Sequence, residues 1–267
     1  MISIAITGAC GRMAGQVLRR SVENDNITVV AAVDMNHVGE DIGEVLGIGK
    51  IDVAVSDDLS SVIDEAKPDL LVDFTNPEAA VKNAKAAAEK KVSFIVGTTG
   101  LKDKQMAEIK EAAYKNNVAG MYASNFSVGM NVLFKLAKDT AKTLAGYDIE
   151  IIEAHHNKKK DSPSGTAITL AELMEESLRR DLRKDAVYGR EGMVGERKAG
   201  EIGIHAIRAG DIAGEHTVLF GSTGERLELK YMAHSRDAFA MGCVRAINWM
   251  EGKEPGFYSM FDVLGLE

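Results

Sequence analysis

The chain has 267 residues, 27% of them charged, and a formal net charge of −8. This acidic balance argues against nucleic acid or an anionic membrane as the main partner, and no apolar run is long enough to span a bilayer. Its two cysteines, Cys10 and Cys243, lie far apart, without the paired spacing of a disulfide or zinc framework. We expect a cytoplasmic protein of two domains that acts on small molecules.

The N-terminus has the pattern of a dinucleotide-binding unit. A short apolar run, Ile2 to Thr7, predicts a buried strand; a glycine turn and then apolar residues at helical spacing follow. Gly8 permits the tight turn, and Gly11 lets the backbone approach a pyrophosphate held at the helix N-terminus. Ala14 takes the third position, where close packing needs a small residue. Glycine turns of this kind also occur without a nucleotide.

An acidic residue ends the second predicted strand. The β-branched run from Ile27 to Val33 leads into Asp34, about 20 residues past the glycines, where a carboxylate can accept from both ribose hydroxyls of an adenosine. Met35 follows, where a basic residue would neutralise a 2′-phosphate. The pattern therefore predicts a nucleotide site and favours NADH over NADPH, with NADPH still possible.

The alternation of strands and helices continues through the first half. Strands are predicted at 53–55, 70–74, 92–96 and 118–122, and helices at 77–91 and 102–117. Short connections between them indicate a parallel, doubly wound sheet, in which ligands bind at the carboxyl ends of strands. Small polar residues follow two of these strands and either border the nicotinamide or are simple turn residues, readings that the sequence supports equally: Gly97, Thr98, Thr99, and Ala123, Ser124, Asn125, Phe126.

The second half has a different pattern. Helices are predicted at 128–145 and from Ser164, a loop at 185–201, and strands at 202–209, 215–221 and 226–231 joined by hairpin turns at 210–214 and 222–224. A last helix, 237–250, is expected to return to the first domain. The fold class is therefore α/β: a Rossmann-type dinucleotide-binding domain (1–126, completed by 237–267) and an α+β domain (127–236) with a mixed, largely antiparallel sheet.

The densest chemistry lies between residues 150 and 167. A strand ends at His155 and His156, a lysine run at 158–160 follows, and Ser-Pro-Ser-Gly-Thr then opens a helix whose free N–H groups can hold an anion. Adjacent histidines on a strand point to opposite faces, so a shared metal is disfavoured and no metal site is expected. Glu153 and Asp161 fit orienting or capping roles. The arrangement suits a small dicarboxylate that must be protonated.

This stretch resembles the signature of the 4-hydroxy-tetrahydrodipicolinate reductases, also called dihydrodipicolinate reductases, of lysine and diaminopimelate biosynthesis. The similarity extends to other parts of the chain. The residues and ranges that carry it are Glu150, Ile151, Glu153, His155, Lys159, Asp161, Pro163 to Ala167, Gly8 to Met13, Gly97 to Thr99, Ala123 to Phe126, and Arg208 to His216. Family members commonly have Gly where Ala14 stands, and some have a basic residue where Met35 stands.

The resemblance implies an NAD(P)H-dependent reductase with a Rossmann domain and a mixed-sheet domain that binds substrate and builds a homotetramer. It implies that His155 and Lys159 are catalytic and that His156, Ser164, Gly165 and Thr166 hold the substrate carboxylates. The implied cofactor-binding residues are Gly8, Ala9, Cys10, Gly11, Arg12, Met13, Asp34, Gly97, Thr98, Thr99, Ala123, Ser124, Asn125 and Phe126.

Two other functions compete with this reading. The first is another two-domain nicotinamide enzyme of amino-acid metabolism, such as a homoserine dehydrogenase or a semialdehyde dehydrogenase. The latter needs a nucleophilic cysteine, for which Cys243 is a poor candidate. The second is a redox sensor that binds NADH without turnover, which would not need histidine and lysine beside an anion site.

Overall fold

The computed structural model describes residues 1–266, which form two compact units. Unit 1 contains residues 1–127 together with the chain from Phe239 onward, and unit 2 contains residues 128–238. The polypeptide therefore leaves unit 1, builds unit 2, and returns. Within the described residues, no helix combines the length and the apolar character needed to cross a bilayer.

The secondary structure alternates in the first half and is strand-rich in the second. The strands are β1 (Ile2–Thr7), β2 (Ile27–Val33), β3 (Val55–Ser56), β4 (Leu70–Asp73), β5 (Ser93–Val96), β6 (Ala119–Tyr122), β7 (Asp148–His155), β8 (Ala186–Tyr188), β9 (Ile202–Arg208), β10 (Gly214–Ser222), β11 (Glu225–Ala233) and β12 (Gly256–Tyr258). The helices are α1 (Arg12–Val22), α2 (Ile42–Leu46), α3 (Leu59–Ala66), α4 (Pro77–Glu89), α5 (Asp103–Asn116), α6 (Val128–Thr143), α7 (Gly165–Leu178), α8 (Leu182–Asp185), α9 (Asp237–Met250) and α10 (Met260–Leu264).

Unit 1 is built on a parallel sheet of seven strands in the order β12-β6-β5-β4-β1-β2-β3. The predicted doubly wound sheet is confirmed, with β12 as an edge strand that the sequence did not indicate. The chain winds outward in both directions from the pair β1 and β4. That pair is the topological switch point, beside which ligands bind in such sheets.

Both faces of this sheet are covered, because alternate side chains of β1 enter different cores. Ile4 and Ile6 pack with α1, α9 and α10, whereas Ala5 packs with α3, α4 and α5. A strand buried on both faces reads as a continuous apolar run, which is why Ile2–Thr7 was recognisable in the sequence.

Helix α9 lies against the segment that follows β6. Gly242 is at the contact: a Cβ there would stand 1.8 Å from the carbonyl oxygen of Phe126. The side chains of Ala240, Cys243 and Ile247 are fully buried in the same core as α1. The returning helix therefore supports the loop that carries Ala123 to Phe126.

Unit 2 is built on a five-stranded sheet in the order β11-β10-β7-β9-β8. The predicted mixed sheet is confirmed, but the prediction that it is largely antiparallel is wrong. Two of its four strand pairs are antiparallel, β10 with β11 and β10 with β7, and two are parallel, β9 with β7 and β9 with β8. Helices α6 and α7 pack on each other, and α7 packs on β7. Ile149, Ile151 and Glu153 alternate along β7 as buried residues, and Ala154 and His155 are buried at its end.

One of the two predicted hairpin turns is wrong. Residues 222–224 do join neighbouring antiparallel strands, but residues 210–214 do not, because β7 lies between β9 and β10. The segment from 209 to 213 instead crosses the end of β7. Three backbone hydrogen bonds join this segment to the end of β7 and the residues after it. The N–H of Ala209 donates to the carbonyl oxygen of His155 at 2.9 Å. The N–H groups of His156 and Asn157 donate to the carbonyl oxygens of Ile212 at 2.8 Å and Gly210 at 3.1 Å.

The loop predicted at 185–201 begins with structure that the sequence did not show. Helix α8 and strand β8 occupy its start, and the remainder is held to the sheet by Glu150. This carboxylate accepts from Arg190 at 2.9 Å, from Arg197 at 3.0 Å and from His205 at 2.7 Å. Burial raises the pKa of Glu150, but these hydrogen bonds outweigh burial and lower the pKa to about 2.

Substituting Gly242→Ala should destabilise unit 1. The new methyl group would overlap a backbone carbonyl that has little freedom to move, and overpacking of this kind costs about 1–3 kcal/mol. Thermal unfolding measures the loss. Gly146→Ala is the control, since a Cβ at Gly146 meets nothing within 4 Å; equal melting temperatures for both variants would contradict the described contact.

Substituting Glu150→Gln should lower the free energy of unfolding by about 3 kcal/mol at pH 7, the equivalent of moving a pKa from 4.5 to about 2. Since the folded-state pKa is depressed, the stabilisation is present above about pH 4.5 and is lost as pH falls towards 2. Urea unfolding at pH 7 and pH 3.5 should show the difference shrinking. Glu228→Gln, which removes an exposed ion pair with Arg226, should change stability little at either pH.

Candidate functional site

The predicted dinucleotide-binding residues lie together at one edge of the unit 1 sheet. They follow the carboxyl ends of β1, β2, β5 and β6, and parallel strands place those ends on the same side. Backbone hydrogen bonds tie adjacent strand ends, from Gly8 N to Val33 O at 2.9 Å and from Ala123 N to Val96 O at 3.2 Å. The sheet thus brings together residues from four separate parts of the sequence.

The β1–α1 turn has the backbone geometry that a phosphate-binding loop needs. Gly8 has a φ of +71°, and a Cβ there would lie 2.5 Å from the carbonyl oxygen of Phe74. Gly11 is the N-cap of α1, and no side chain caps this helix. A Cβ at Gly11 would come within 2.9 Å of the Gly8 carbonyl oxygen. The turn therefore leaves backbone N–H groups at a helix start available to an anion.

Asp34 lies beside this turn. Its Oδ2 accepts from the N–H of Cys10 at 3.1 Å, and its Oδ1 accepts from the N–H and side-chain amide of Asn36, both at 2.9 Å. A carboxylate has about four acceptor positions, so it can also accept from a ribose hydroxyl. Asp34 therefore has acceptor positions available beside the turn. Met35, which carries no charge, follows Asp34 and is 79% exposed.

At the same edge of the unit 1 sheet, a buried carboxyl group that was not predicted from the sequence binds several strand ends together. Asp73, at the end of β4, is 1% exposed and accepts from the hydroxyl groups of Thr7 at 2.7 Å, Thr98 at 2.6 Å and Thr75 at 3.0 Å, and from the amide of Asn83 at 2.7 Å. These bonds join the ends of β1, β4 and β5. The sequence signal that could have identified Asp73 is an acidic residue at the end of an otherwise apolar strand.

Several predicted cofactor-binding residues are buried. Ala9, Thr98, Ala123 and Phe126 are each less than 7% exposed. The hydroxyl of Thr98 is already bonded to Asp73. The side chains of these residues therefore pack within the loops that follow the strands, and a ligand would contact their backbone N–H and carbonyl groups.

In unit 2 the predicted histidine and lysine cluster lies where β7 ends. His155 is its last residue and is 9% exposed. Lys158 and Lys160 are exposed, as expected for a solvated lysine run, whereas the Lys159 side chain is only 20% exposed and its Nζ lies 2.9 Å from Asp161. The structure thus distinguishes Lys159 from its neighbours.

Glu153 is fully buried two residues before His155. Its Oε2 lies 2.6 Å from His155 Nδ1 and 2.8 Å from Arg208 Nη1, and its Oε1 accepts from Arg208 Nη2 at 2.8 Å and from the N–H of Ser164 at 3.0 Å. Burial raises the pKa of Glu153, but the bonds from His155, Arg208 and the Ser164 N–H outweigh burial and lower it to about 2. The orienting role predicted for Glu153 matches these contacts.

Helix α7 begins beside the same group. Ser164 is its N-cap: the Oγ accepts from Ala167 N at 3.2 Å and lies 3.2 Å from Nε2 of His216. Ser164 is buried, whereas Gly165 is exposed with open space around it. Ligand contact at this helix start is therefore expected from backbone N–H groups, and the Ser164 hydroxyl serves the cap.

His216 and Arg236 are near the cluster, and the sequence analysis gave neither a role. His216 is 2% exposed and its ring meets His155 edge to face, with centroids 5.3 Å apart. Burial first, and then repulsion from His155, lowers the pKa of His216 to about 3, so this ring is neutral. Arg236 approaches His156, with 3.5 Å between Nη2 and Nε2, which adds a cation beside a residue predicted to hold carboxylates.

Neither cysteine is set up as a nucleophile, and no group of three potential metal ligands was found among the described residues. Burial, with the Asp34 and Glu40 carboxylates, raises the pKa of Cys10 to about 11. Cys243 is fully buried, and burial raises its pKa as well. Thiolate chemistry is therefore disfavoured at both positions.

Comparisons with known proteins agree with the two-unit organisation. Residues 2–126 match the family described as dihydrodipicolinate reductase, N-terminus, and residues 129–264 match its C-terminal counterpart. The 4-hydroxy-tetrahydrodipicolinate reductase of Methanocaldococcus jannaschii is 49% identical, covering all of this chain and 98% of that protein, and the one from Methanosarcina mazei is 49% identical over both full chains.

A solved structure is similar over nearly the whole chain. It is a dipicolinate-bound dihydrodipicolinate reductase from Paenisporosarcina sp. TG-14, with a TM-score of 0.76, 27% identity and coverage of 98% of both chains. The predicted family and the predicted class, an oxidoreductase, are confirmed. The chain belongs to the dihydrodipicolinate reductase family.

Proposed function

We propose that this protein catalyses the NAD(P)H-dependent reduction of 4-hydroxy-tetrahydrodipicolinate to tetrahydrodipicolinate in lysine and diaminopimelate biosynthesis. The observation that carries the proposal is the end of β7, where an oriented histidine, a partly buried lysine and the start of α7 come together in unit 2. The family members named above carry this activity in their names, and the solved relative holds dipicolinate, a planar diacid.

The substrate side is assigned from charge and geometry. His155 and Lys159 are the proposed catalytic residues, because each can carry a proton. The Glu153 carboxylate holds His155, and the Asp161 carboxylate holds Lys159. His156, Arg236 and the backbone of Gly165 and Thr166 are proposed to bind the substrate carboxylates, since cations and a helix N-terminus both favour anions. Ser164 supports this set through its cap.

The cofactor side is assigned to unit 1. Gly8 to Met13 would hold the pyrophosphate, Asp34 the adenosine ribose, and the backbone of Gly97 to Thr99 and Ala123 to Phe126 would border the nicotinamide ribose and ring. The bound dinucleotide supplies a hydride. The uncapped start of α1 and the lack of space for a Cβ at Gly8 and Gly11 support this assignment.

The assay for this proposal uses the wild-type protein with the freshly made product of dihydrodipicolinate synthase. Loss of NADH absorbance that depends on both protein and product supports it. An absence of NADH consumption, with correctly folded protein and with NADPH also tried, would reject it.

The competing dehydrogenase and sensor functions receive less support. A semialdehyde dehydrogenase needs an activated cysteine, and Cys243 is buried with a raised pKa. A sensor has no use for an oriented histidine beside a helix start. The reductase function needs no reactive cysteine, and it gives the oriented histidine and the neighbouring helix start a role.

We further propose that the protein forms a homotetramer through unit 2. Ile152, Ile207 and Met232 come from three strands of its sheet and are between 37% and 48% exposed. Their pairing partners place Ile152 and Ile207 on the face opposite Ile151, which packs inward. Exposed apolar side chains on a sheet face favour association with further copies. Sedimentation velocity measures the state directly.

Replacing either proposed catalytic residue should remove turnover while leaving cofactor binding intact. His155→Gln and Lys159→Ala are each expected to lower kcat by about 10²–10⁴, the usual contribution of a positioned acid. NADH binding, followed by fluorescence titration, should match the wild type. Lys158→Ala is the matched control, because this neighbouring lysine is exposed; a loss there equal to that of Lys159→Ala would contradict the assignment.

The wild type should use NADH with a higher kcat/KM than NADPH, because Met35 supplies no charge for a 2′-phosphate. Met35→Arg should raise the ratio of kcat/KM for NADPH over NADH about tenfold, equivalent to about 1.4 kcal/mol. Met193→Arg, at a fully exposed position in unit 2, should leave the ratio unchanged. A strong wild-type preference for NADPH would show that another cation binds the phosphate.

A further inference from the structure

The buried Glu153 carboxylate contacts both halves of the substrate site. One oxygen, Oε2, lies 2.6 Å from the His155 ring, and the other, Oε1, accepts from the backbone N–H of Ser164 at the start of α7. The guanidinium of Arg208 bridges the two oxygens, at 2.8 Å to each. Movement of the carboxylate would therefore displace the proton donor and the helix start together.

We infer that Glu153 is a positioning residue that sets the tautomer of His155 and its separation from the start of α7. The inference rests on the function proposed above. It gives a role to a carboxylate that, being fully buried behind the ring, cannot itself reach a substrate.

The tautomer follows from the charge of Glu153. An ionised carboxylate only accepts hydrogen bonds, so Nδ1 of His155 must carry the hydrogen in the 2.6 Å contact. In the neutral ring Nε2 is then left to take up a proton and hand it to a substrate. Nε2 faces Gly214, where a Cβ would stand 3.2 Å away, so the glycine keeps this side of the ring clear.

The separation between His155 and the start of α7 follows from the contacts of the second Glu153 oxygen, Oε1. Ser164 is held through its N–H by Glu153, and its hydroxyl caps α7 and contacts His216. His216 in turn packs against the His155 ring. A closed set of contacts therefore runs from His155 to Glu153, to Ser164, to His216 and back to His155. It fixes where α7 begins relative to His155.

The charges around His155 come from every neighbouring element. Glu153 on β7 is paired with Arg208 on β9, Lys159 is paired with Asp161, and His216 on β10 is neutral. Glu153 therefore supplies the negative charge in direct contact with the imidazole. Loss of this carboxylate would release the orientation of the His155 ring.

Glu153→Gln tests the inference with little change of shape. A glutamine amide facing Nδ1 would donate, so the neutral His155 should switch to the tautomer with the hydrogen on Nε2. We expect kcat to fall on the order of 10²-fold, since small misplacements cost that much. KM for the diacid should rise as well, because the start of α7 loses a charge-assisted hydrogen bond that holds it beside His155. NADH binding should not change.

The control is Glu150→Gln, which makes the same substitution on the same strand, in the carboxylate that binds Arg190 and Arg197. It should lose stability without losing kcat. Two-bond ¹H–¹⁵N spectra of the histidine rings report the tautomer independently of activity.

The outcomes separate the two proposals. A wild type without turnover rejects the proposed function, whereas a Glu153→Gln enzyme with kcat and KM for the diacid within twofold of wild type rejects the positioning role. If Glu153→Gln does not fold, the wild-type spectrum decides: neutral His155 with its hydrogen on Nδ1 supports the inference, and hydrogen on Nε2 overturns it.

Discussion

An ionised carboxylate buried in a protein must be surrounded by hydrogen-bond donors, because the loss of its hydration costs several kcal/mol. Each unit of this protein contains a buried carboxyl side chain near the end of a central strand, Asp73 in β4 and Glu153 in β7, and each is surrounded by donors. The donors to Asp73 come from neighbouring strand ends and from α4, and those to Glu153 come from β9, from His155 and from the start of α7. This demand for donors determines where the loops at the proposed cofactor and substrate sites lie.

Much of unit 1 was predictable because its signals are local. A strand buried on both faces, a glycine turn and a helix follow one another within residues 2–22, and Asp34 follows the next strand directly. The same is true of the step from β7 to α7, where Ser164 caps the helix as its sequence indicated. Short elements such as α2, α3 and β8 were missed because a few residues carry too little periodicity.

The contacts that complete the proposed substrate site were not predictable, because they join residues far apart in sequence. Arg208 meets Glu153 across 55 positions, and Arg236 meets His156 across 80. Glycines around residue 212 indicated a turn, but a turn between neighbouring strands and a crossing over β7 have the same local composition. Only the sheet order, with β7 between β9 and β10, distinguishes them.

The discontinuity of unit 1 has a consequence for biosynthesis of the polypeptide. All five strands of unit 2 leave the ribosome before α9 and β12 do, so unit 2 has its complete sheet while unit 1 still lacks an edge strand and helices that cover one face. Ile4 and Ile6 on one face of β1 then have no α9 to pack against. The nascent chain therefore carries an exposed apolar surface late in translation, which is the kind of surface that chaperones bind.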